Sequence, residues 1–470
     1  MPPTPDATTP GAAAPDRGRA DACPGALRLH TADDGALARV RLPGGLLTVR
    51  QALALADAAE VLGDGSLETT SRGNVQLRGL APGCGGELGD RLRAAGLLPS
   101  DTHERVRNIV ASPGPAGGRP TRGRTANGAP VEGRSADGRP ADGRPAGDGP
   151  GADVRAWARE LDARLCASPW ATGLSGKFLF VLDDGRGDVA ALDADVTLIA
   201  GGGGTALLRL GRAATARVVP ADGAVDAALD AARSFLEALR ATGTRAWHLR
   251  EVPGLLPPGD APLPDLPGEP VPLGALPGGL SVGLRFGRAT AAQWRVLAGA
   301  AEGELRLTPW RGAVLPDAPA DRLPVLAAAG YRTEPGSPWD RATACTGLPG
   351  CAKSLADVRA DAARALDADA DAAAVAPGAV PVERLPVHWS GCERRCGHPA
   401  GRWVDVLATG RGYRVTTNGP ENGPTNEPRN GSTNVPKNGP TNGSASAGPA
   451  VGVTNEETAA AVAAARRTTK

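Results

Sequence analysis

The chain has 470 residues, 41% of them hydrophobic, and 52 basic side chains oppose 51 acidic ones for a formal net charge of +1. That balance offers no field to nucleic acid or to an anionic membrane, and no apolar run approaches the roughly 18 residues that span a bilayer. The length predicts roughly two to four domains of a cytoplasmic protein, in which seven cysteines read as metal ligands, reactive thiols or small buried residues rather than disulfides.

In chain order, residues 1–24 read as a disordered leader rich in Pro, Ala and Asp, without the apolar core of a signal peptide. Residues 25–100 predict a first α+β half-module. The strand-like "ALARVRLPGG" is followed by a helix opened by a Thr48 cap and by a strand over 67–77 holding the pair Arg72-Gly73. Residues 101–260 hold "RVRNIVASP" at 105–113, a helix near 154–166 and a strand "KFLFVLDDG" at 177–185. They are interrupted at 114–151 by a Gly/Arg/Pro/Asp low-complexity insert too polar to offset the entropy of ordering.

Asp183 and Asp184 read as turn residues, and the Gly201–Gly204 run as a loop rather than a phosphate cradle. Residues 261–335 repeat the half-module, and 336–415 contain clustered cysteines. Residues 416–453 form a second low-complexity insert, and 454–470 a closing helix.

The repeat is explicit. "TVRQALALADAAE" (48–60) and "TAAQWRVLAGAAE" (290–302) agree at seven of thirteen positions at an offset of 242. Each lies between a strand-like run and a second strand with an Arg-Gly pair, so two half-modules should pack about a pseudo-twofold axis.

Cys345 and Cys351 form a C-x5-C pair, and Cys392 and Cys396 a C-x3-C pair that begins 41 residues later. Four thiolates hold either a [4Fe-4S] cube or a tetrahedral zinc; zinc knuckles favour C-x2-C, and the intervening "TGLPG" lets the backbone wrap a bulky inorganic body, which favours the cube. Cys392 and Cys396 would face one way on a helical turn. Cys23, Cys84 and Cys166 lack partners at ligand spacing. Only four basic residues are lysines, Lys177, Lys353, Lys437 and Lys470, and the first two sit beside motifs.

The cysteine spacing, the duplicated halves, "TSRGNVQLRG" (70–79), Arg105 to Pro113 and Leu174 to Gly185 resemble the nitrite/sulfite reductase superfamily over nearly all of the foldable sequence. The resemblance implies an α+β fold of two ferredoxin-like half-modules and two α+β segments. It implies that Cys345, Cys351, Cys392 and Cys396 bind a [4Fe-4S] cluster, with Cys396 nearest a sirohaem iron in the reductases, and that Arg72, Arg107 and Lys177 surround a carboxylate-rich macrocycle. The reductases carry K-x-K where this chain reads Lys177-Phe178-Leu179, so the second cation is missing.

"TSRGNVQLRGL", "RLTPWRG" and "KFLFVLDDGRGDV" are closer to the corrin-pathway branch of that superfamily, the precorrin-3B synthases. That likeness implies an iron–sulfur monooxygenase of aerobic cobalamin biosynthesis that hydroxylates precorrin-3A at C20 with O2 and closes the ring A acetate γ-lactone. It would use a cluster and a non-haem iron, and the alternative, a ferredoxin-dependent nitrite or sulfite reductase, would use sirohaem. No G-x-G-x-x-G follows a core strand, so electrons should come from outside, from NAD(P)H through a reductase or from a ferredoxin. His388 and His398 flank the second cysteine pair and read as hydrogen-bond donors to sulfide or exposed residues before iron ligands.

Overall fold

The computed structural model describes residues 21, 23–114, 153–374, 384–418, 451–453 and 457–466. Most of the leader, the first insert after Gly114, most of the second insert, Lys437 and Lys470 lie outside the described residues.

The two half-modules are built alike and share their edges. One antiparallel sheet runs in the order His30–Ala32, Gly35–Val40, Val75–Leu80, Ser66–Thr69, and ends on Arg288–Thr290 from the other half. The second runs Gly274–Leu276, Gly279–Gly283, Gly312–Pro316, Glu304–Leu307, and ends on Leu46–Thr48 from the first half. Each lent strand stops at the threonine that caps a helix: Thr48 opens Val49–Leu62 and Thr290 opens Ala291–Gly299, both with complete capping boxes. The reciprocal caps use Gln51 and Gln293 three residues on, so the matched Thr and Gln of the sequence repeat have a physical cause.

The capping glutamines also reach forward, Gln51 to the Ala95 carbonyl and Gln293 to the Ala329 carbonyl, each tying its helix to the segment after the sheet. The apolar faces of both helices and both sheets merge into a single core that includes Leu47, Leu55, Leu67, Leu280, Trp294 and Leu315. No clean boundary separates the halves.

The stretches 67–77 and 305–315, expected as single strands, are hairpins. In the first, Thr70 accepts the Gly73 N–H at 3.1 Å, Gly73 adopts φ +65°, and Arg72 is carried on the turn. A side chain at Gly73 would meet the Leu307 carbonyl at 3.1 Å, so the two pseudo-symmetric turns nearly touch. In the second, Thr308 accepts the Arg311 N–H at 3.2 Å and Arg311 adopts φ +59°, so Arg311 takes the place of Gly73 and Trp310 that of Arg72.

The two α+β segments repeat one topology. The first runs Ile109–Ala111, helix Val154–Cys166, Phe180–Asp183, Val196–Ala200, Thr205–Leu210, Thr215–Pro220 and helix Ala224–Thr242. The second runs Ala342–Ala344, helix Val358–Ala374, Val387–Ser390, Trp403–Thr409, Gly412–Asn418, Val451–Val453 and helix Thr458–Arg466. In both, the first three strands are parallel and the later pairs antiparallel. The second insert is therefore narrower than expected, since its two ends, at Thr416–Asn418 and Val451–Val453, belong to strands.

Parallel strands put all their carboxyl ends at one edge of the sheet, where ligands bind in open α/β sheets. Both segments aim that edge at loops rich in chemistry-bearing side chains.

Candidate functional site

The cysteines sit at that edge. Cys345 directly follows the strand Ala342–Ala344, and Cys392 comes two residues after its parallel neighbour Val387–Ser390. The Cys345 N–H donates to the Trp389 carbonyl at 2.9 Å, and the Gly391 N–H donates to Cys345 Sγ at 3.3 Å, which locks the two loops together. Burial raises the Cys345 pKa, and Cys392 and Cys396 add to it, so the thiols are electrostatic neighbours whose joint ionisation calls for a positive counter-charge.

Beyond Cys392 the chain does not make the expected helical turn. Arg395 takes φ +45° and donates its N–H to the Cys392 carbonyl, while its guanidinium is drawn to the buried Asp405 at 2.6 Å; that pull breaks the helical path.

The first half-module holds the other cysteine loop. Arg78 pairs with Asp34 at 2.8 Å and donates to the Gly350 carbonyl at 3.3 Å, and Asp33 accepts the Ala352 N–H at 2.8 Å, so both neighbours of Cys351 are anchored. Arg359 bridges the same parts, donating to the Cys345 carbonyl at 3.1 Å and pairing with the buried Glu68.

Is this donor set one for a single ion or for a cluster? A tetrahedral zinc at about 2.3 Å from each sulfur would draw all four within about 4 Å of one another. Among the described residues no three cysteine sulfurs lie within 4.8 Å, and the only such group of potential ligands is Asp183, Asp184 and Asp188. Cys345, Cys392 and Cys396 are electrostatic neighbours without that close approach. Among the described residues the buried Ser390 Oγ beside them also lacks a partner. Orphaned buried groups of this kind are expected where a bound group completes the hydrogen bonding. Burial pushes the His388 imidazole down to about 3, with His398 and Arg311 adding to the effect, so the ring is neutral. His398 stacks on Trp403 with ring centroids 5.3 Å apart.

A basic pocket forms in the first half and its α+β segment. Arg39 donates to Gln76, Arg41 donates to the carbonyls of Arg105 and Gly176, and Lys177 places its ammonium 4.1 Å above the Trp247 ring. Arg72 makes no side-chain hydrogen bond among the described residues. Burial lowers its pKa, as it does for Arg39 and Arg41. Among the described residues none of Arg39, Arg41, Arg72 or Lys177 has a carboxylate partner within ion-pair distance, and all four act electrostatically on the Cys23 region. Packing cations together without ion-pair partners in contact is costly, so the arrangement suits a polyanionic ligand.

Of the sequence candidates, the structure gathers Arg72 and Lys177 here. Arg107 it spends elsewhere: the guanidinium grips Asp162 through two nitrogens, at 2.6 and 2.7 Å, and the Leu97 carbonyl at 3.0 Å, as an interior pin. Lys177 lies in a turn closed by Phe178 N–H to the Ser175 carbonyl, not in the strand, which begins at Phe180. Asp183 organises its loop, taking the N–H groups of Gly185, Gly187, Val189 and Ala190 on its two oxygens, while Asp184 pairs with Arg186. The Gly201–Gly204 run turns a hairpin, with Gly201 N–H on the Thr205 carbonyl.

Arg39, Arg41 and Arg311 were not singled out from sequence. The repeated Arg-Gly pair is the signal that finds Arg311, whereas nothing local distinguishes Arg39 or Arg41 among 48 arginines in the chain.

Comparison with known proteins agrees with this fold. The family model described as the nitrite/sulfite reductase ferredoxin-like half domain matches twice, at residues 30–95 and 277–330. A precorrin-3B synthase from a Sinorhizobium species is 27% identical over 431 residues, covering 86% of this chain and 84% of the relative. A ferredoxin–nitrite reductase from Synechococcus elongatus is 29% identical over 416 residues, covering 77% and 74%. Among solved structures, the Mycobacterium tuberculosis NirA protein superposes with a TM-score of 0.59 at 18% identity, covering 90% of this chain and 79% of that one.

Proposed function

The chain belongs to the nitrite/sulfite reductase ferredoxin-like superfamily, and from that premise we propose that it is a precorrin-3B synthase-type monooxygenase. In this reading precorrin-3A is hydroxylated at C20 with O2 and its ring A acetate closes a γ-lactone. The observation that carries the choice over anion reduction is Leu179. It is 4% exposed and packs with Val110, Val181, Val189 and Trp310, so the position that would carry a second pocket lysine belongs to an apolar core.

Cys345, Cys351, Cys392 and Cys396 would hold a [4Fe-4S] cluster, which supplies one-electron transfer toward a non-haem iron. Arg72, Arg39, Arg41 and Lys177 bind and orient the substrate through its carboxylates, the arginines offering two-pronged donors and Lys177 a point charge held by Trp247. Arg107, paired with Asp162, pins the interior rather than touching substrate. The neutral His388 and the Ser390 hydroxyl offer hydrogen bonds beside the cysteines without adding charge. An external electron donor has a place to approach: Cys392 lines an open cleft of about 460 Å³ with Lys353, Leu355 and Arg394.

The test is direct. Anaerobically purified protein with intact iron and sulfide is incubated with precorrin-3A, a reductant and O2, and the product is weighed. A gain of one oxygen atom is expected. Its absence with the cluster intact, or intense sirohaem absorption with turnover of nitrite, would defeat the reading.

A further inference from the structure

Beside the basic cluster stands an imidazole–carboxylate pair that none of the roles above uses. His248 lies just before the short turn Leu249–Glu251 and is 4% exposed, with Nδ1 3.0 Å from Asp195 Oδ2. Asp195 is 1% exposed and immobilised by backbone donors: Oδ1 takes the Leu249 N–H and Oδ2 the Leu179 N–H, both at 2.8 Å. The ring is thus oriented through Nδ1, and Nε2 has no partner among the described residues. A buried carboxylate fixing one imidazole nitrogen while the other stays available is the arrangement that acid–base catalysis requires.

Its surroundings place it at the pocket. Trp247, the preceding residue, lies under the Lys177 ammonium, and Leu179 is two residues from Lys177. Arg250 pairs with Asp193 at 3.0 Å, and Asp195, Arg250 and Asp193 are the charges that act on Arg72 beside Cys23. Glu251 is held by the Trp247 N–H at 2.8 Å. The charged groups around His248 are Asp195, in contact with it, Asp193, and Arg250 and Glu251 on the turn that follows, with Arg72 beyond them.

We propose that His248 is the acid–base residue of the basic pocket, with Asp195 its positioning residue. The proposal rests on the oxygenase reading and assigns a step within it. In that reaction tetrapyrrole, O2, two electrons and two protons give a tetrapyrrole richer by one oxygen atom, plus water. The electrons arrive from the external one-electron carrier. His248 gives up one of the two protons from Nε2 toward the oxygen that leaves as water, and regains it from solvent, while Asp195 holds Nδ1–H and does not itself exchange.

The experiment uses the full chain with its cluster verified by iron and sulfide content. His248→Ala should bind precorrin-3A as the wild type does but turn it over about 10²–10⁴-fold more slowly, and added imidazole should restore part of the rate. Asp195→Asn should keep binding and alter the pH–rate profile. His248→Gln, which keeps a donor toward Asp195, covers the case in which the alanine variant fails to fold, and is expected to fold and remain slow. Wild-type rate and profile in either His248 variant overturn the proposal, as does a loss that tracks binding and is not rescued by imidazole. A wild-type protein that binds no precorrin-3A, or adds no oxygen to it, overturns the oxygenase reading and the proposal together.

Discussion

The Gly391 N–H donates to Cys345 Sγ at 3.3 Å, joining loops that stand 46 residues apart in the chain. Glycine is required there because a Cβ on residue 391 would fall 1.8 Å from Ser354 Oγ, whose hydroxyl is committed to the Ala356 carbonyl at 2.8 Å. Gly391→Ala should displace the Cys351–Ser354 loop and lower iron and sulfide content to the level of Cys345→Ser. A full complement in the alanine variant, read by metal and sulfide analysis, would separate the loop geometry from cluster assembly.

Arg72 and Arg107 should respond oppositely to truncation. Arg72→Ala removes a cation with no internal hydrogen bond and should weaken tetrapyrrole binding without moving the thermal midpoint. Arg107→Ala leaves Asp162 unpaired against a buried site and should cost about 3–5 kcal/mol of stability. Calorimetry alongside substrate titration reads both outcomes, and weaker binding at unchanged stability in Arg107→Ala would return that residue to the pocket.

The Glu68–Arg359 pair fastens the first half-module to the helix after the cysteine loop. Burial opposes ionisation of Glu68, yet Arg359 outweighs it and holds the carboxyl below its ordinary 4.5. The folded pKa being the lower one, the stabilisation is complete above pH 4.5 and is lost as pH falls through the folded value. Glu68→Gln should therefore lower the melting temperature most at neutral pH, with the gap to wild type closing in acid. A gap that is constant from pH 7 to pH 3 would contradict the ion-pair account.

Asp188 has the opposite sign. Burial, helped by the charge of Asp183, raises its carboxyl from 3.8 to about 7, so the folded state holds a proton that the unfolded chain has released and stability falls as pH rises across that interval. Asp188→Asn keeps an acceptor for the Ser112 hydroxyl and removes the penalty. Its melting temperature should match wild type near pH 4 and exceed it increasingly up to pH 8. Parallel curves would show that Asp188 is already ionised in the fold.

Periodicity and repeats made the elements legible. The helices at 48–60 and 290–302 carried their Thr and Gln caps in plain view, and the cysteine spacing marked two loops that the fold brings together. Strand exchange was not legible, because an edge strand of three residues such as Leu46–Thr48 carries the same local pattern whichever sheet it joins. The fate of each arginine was hidden for a related reason. Arg107 and Arg41 are both buried beside strands, and only the long-range partner, Asp162 for one and backbone carbonyls for the other, tells them apart. His248 stands 53 residues from Asp195, a distance at which sequence carries no pairing signal without related chains to compare.

Each half-module completes the other's sheet, with Leu46–Thr48 lent in one direction and Arg288–Thr290 in the other. That is the architecture of a domain-swapped dimer whose subunits have been tethered into one chain. Tethering removes the demand that both copies stay identical, since the partner is always at hand and symmetry no longer has to be met by one sequence. The two equivalent loop edges were thereby released to specialise, one toward thiols and the other toward carboxylates and cations, within a frame neither could maintain alone.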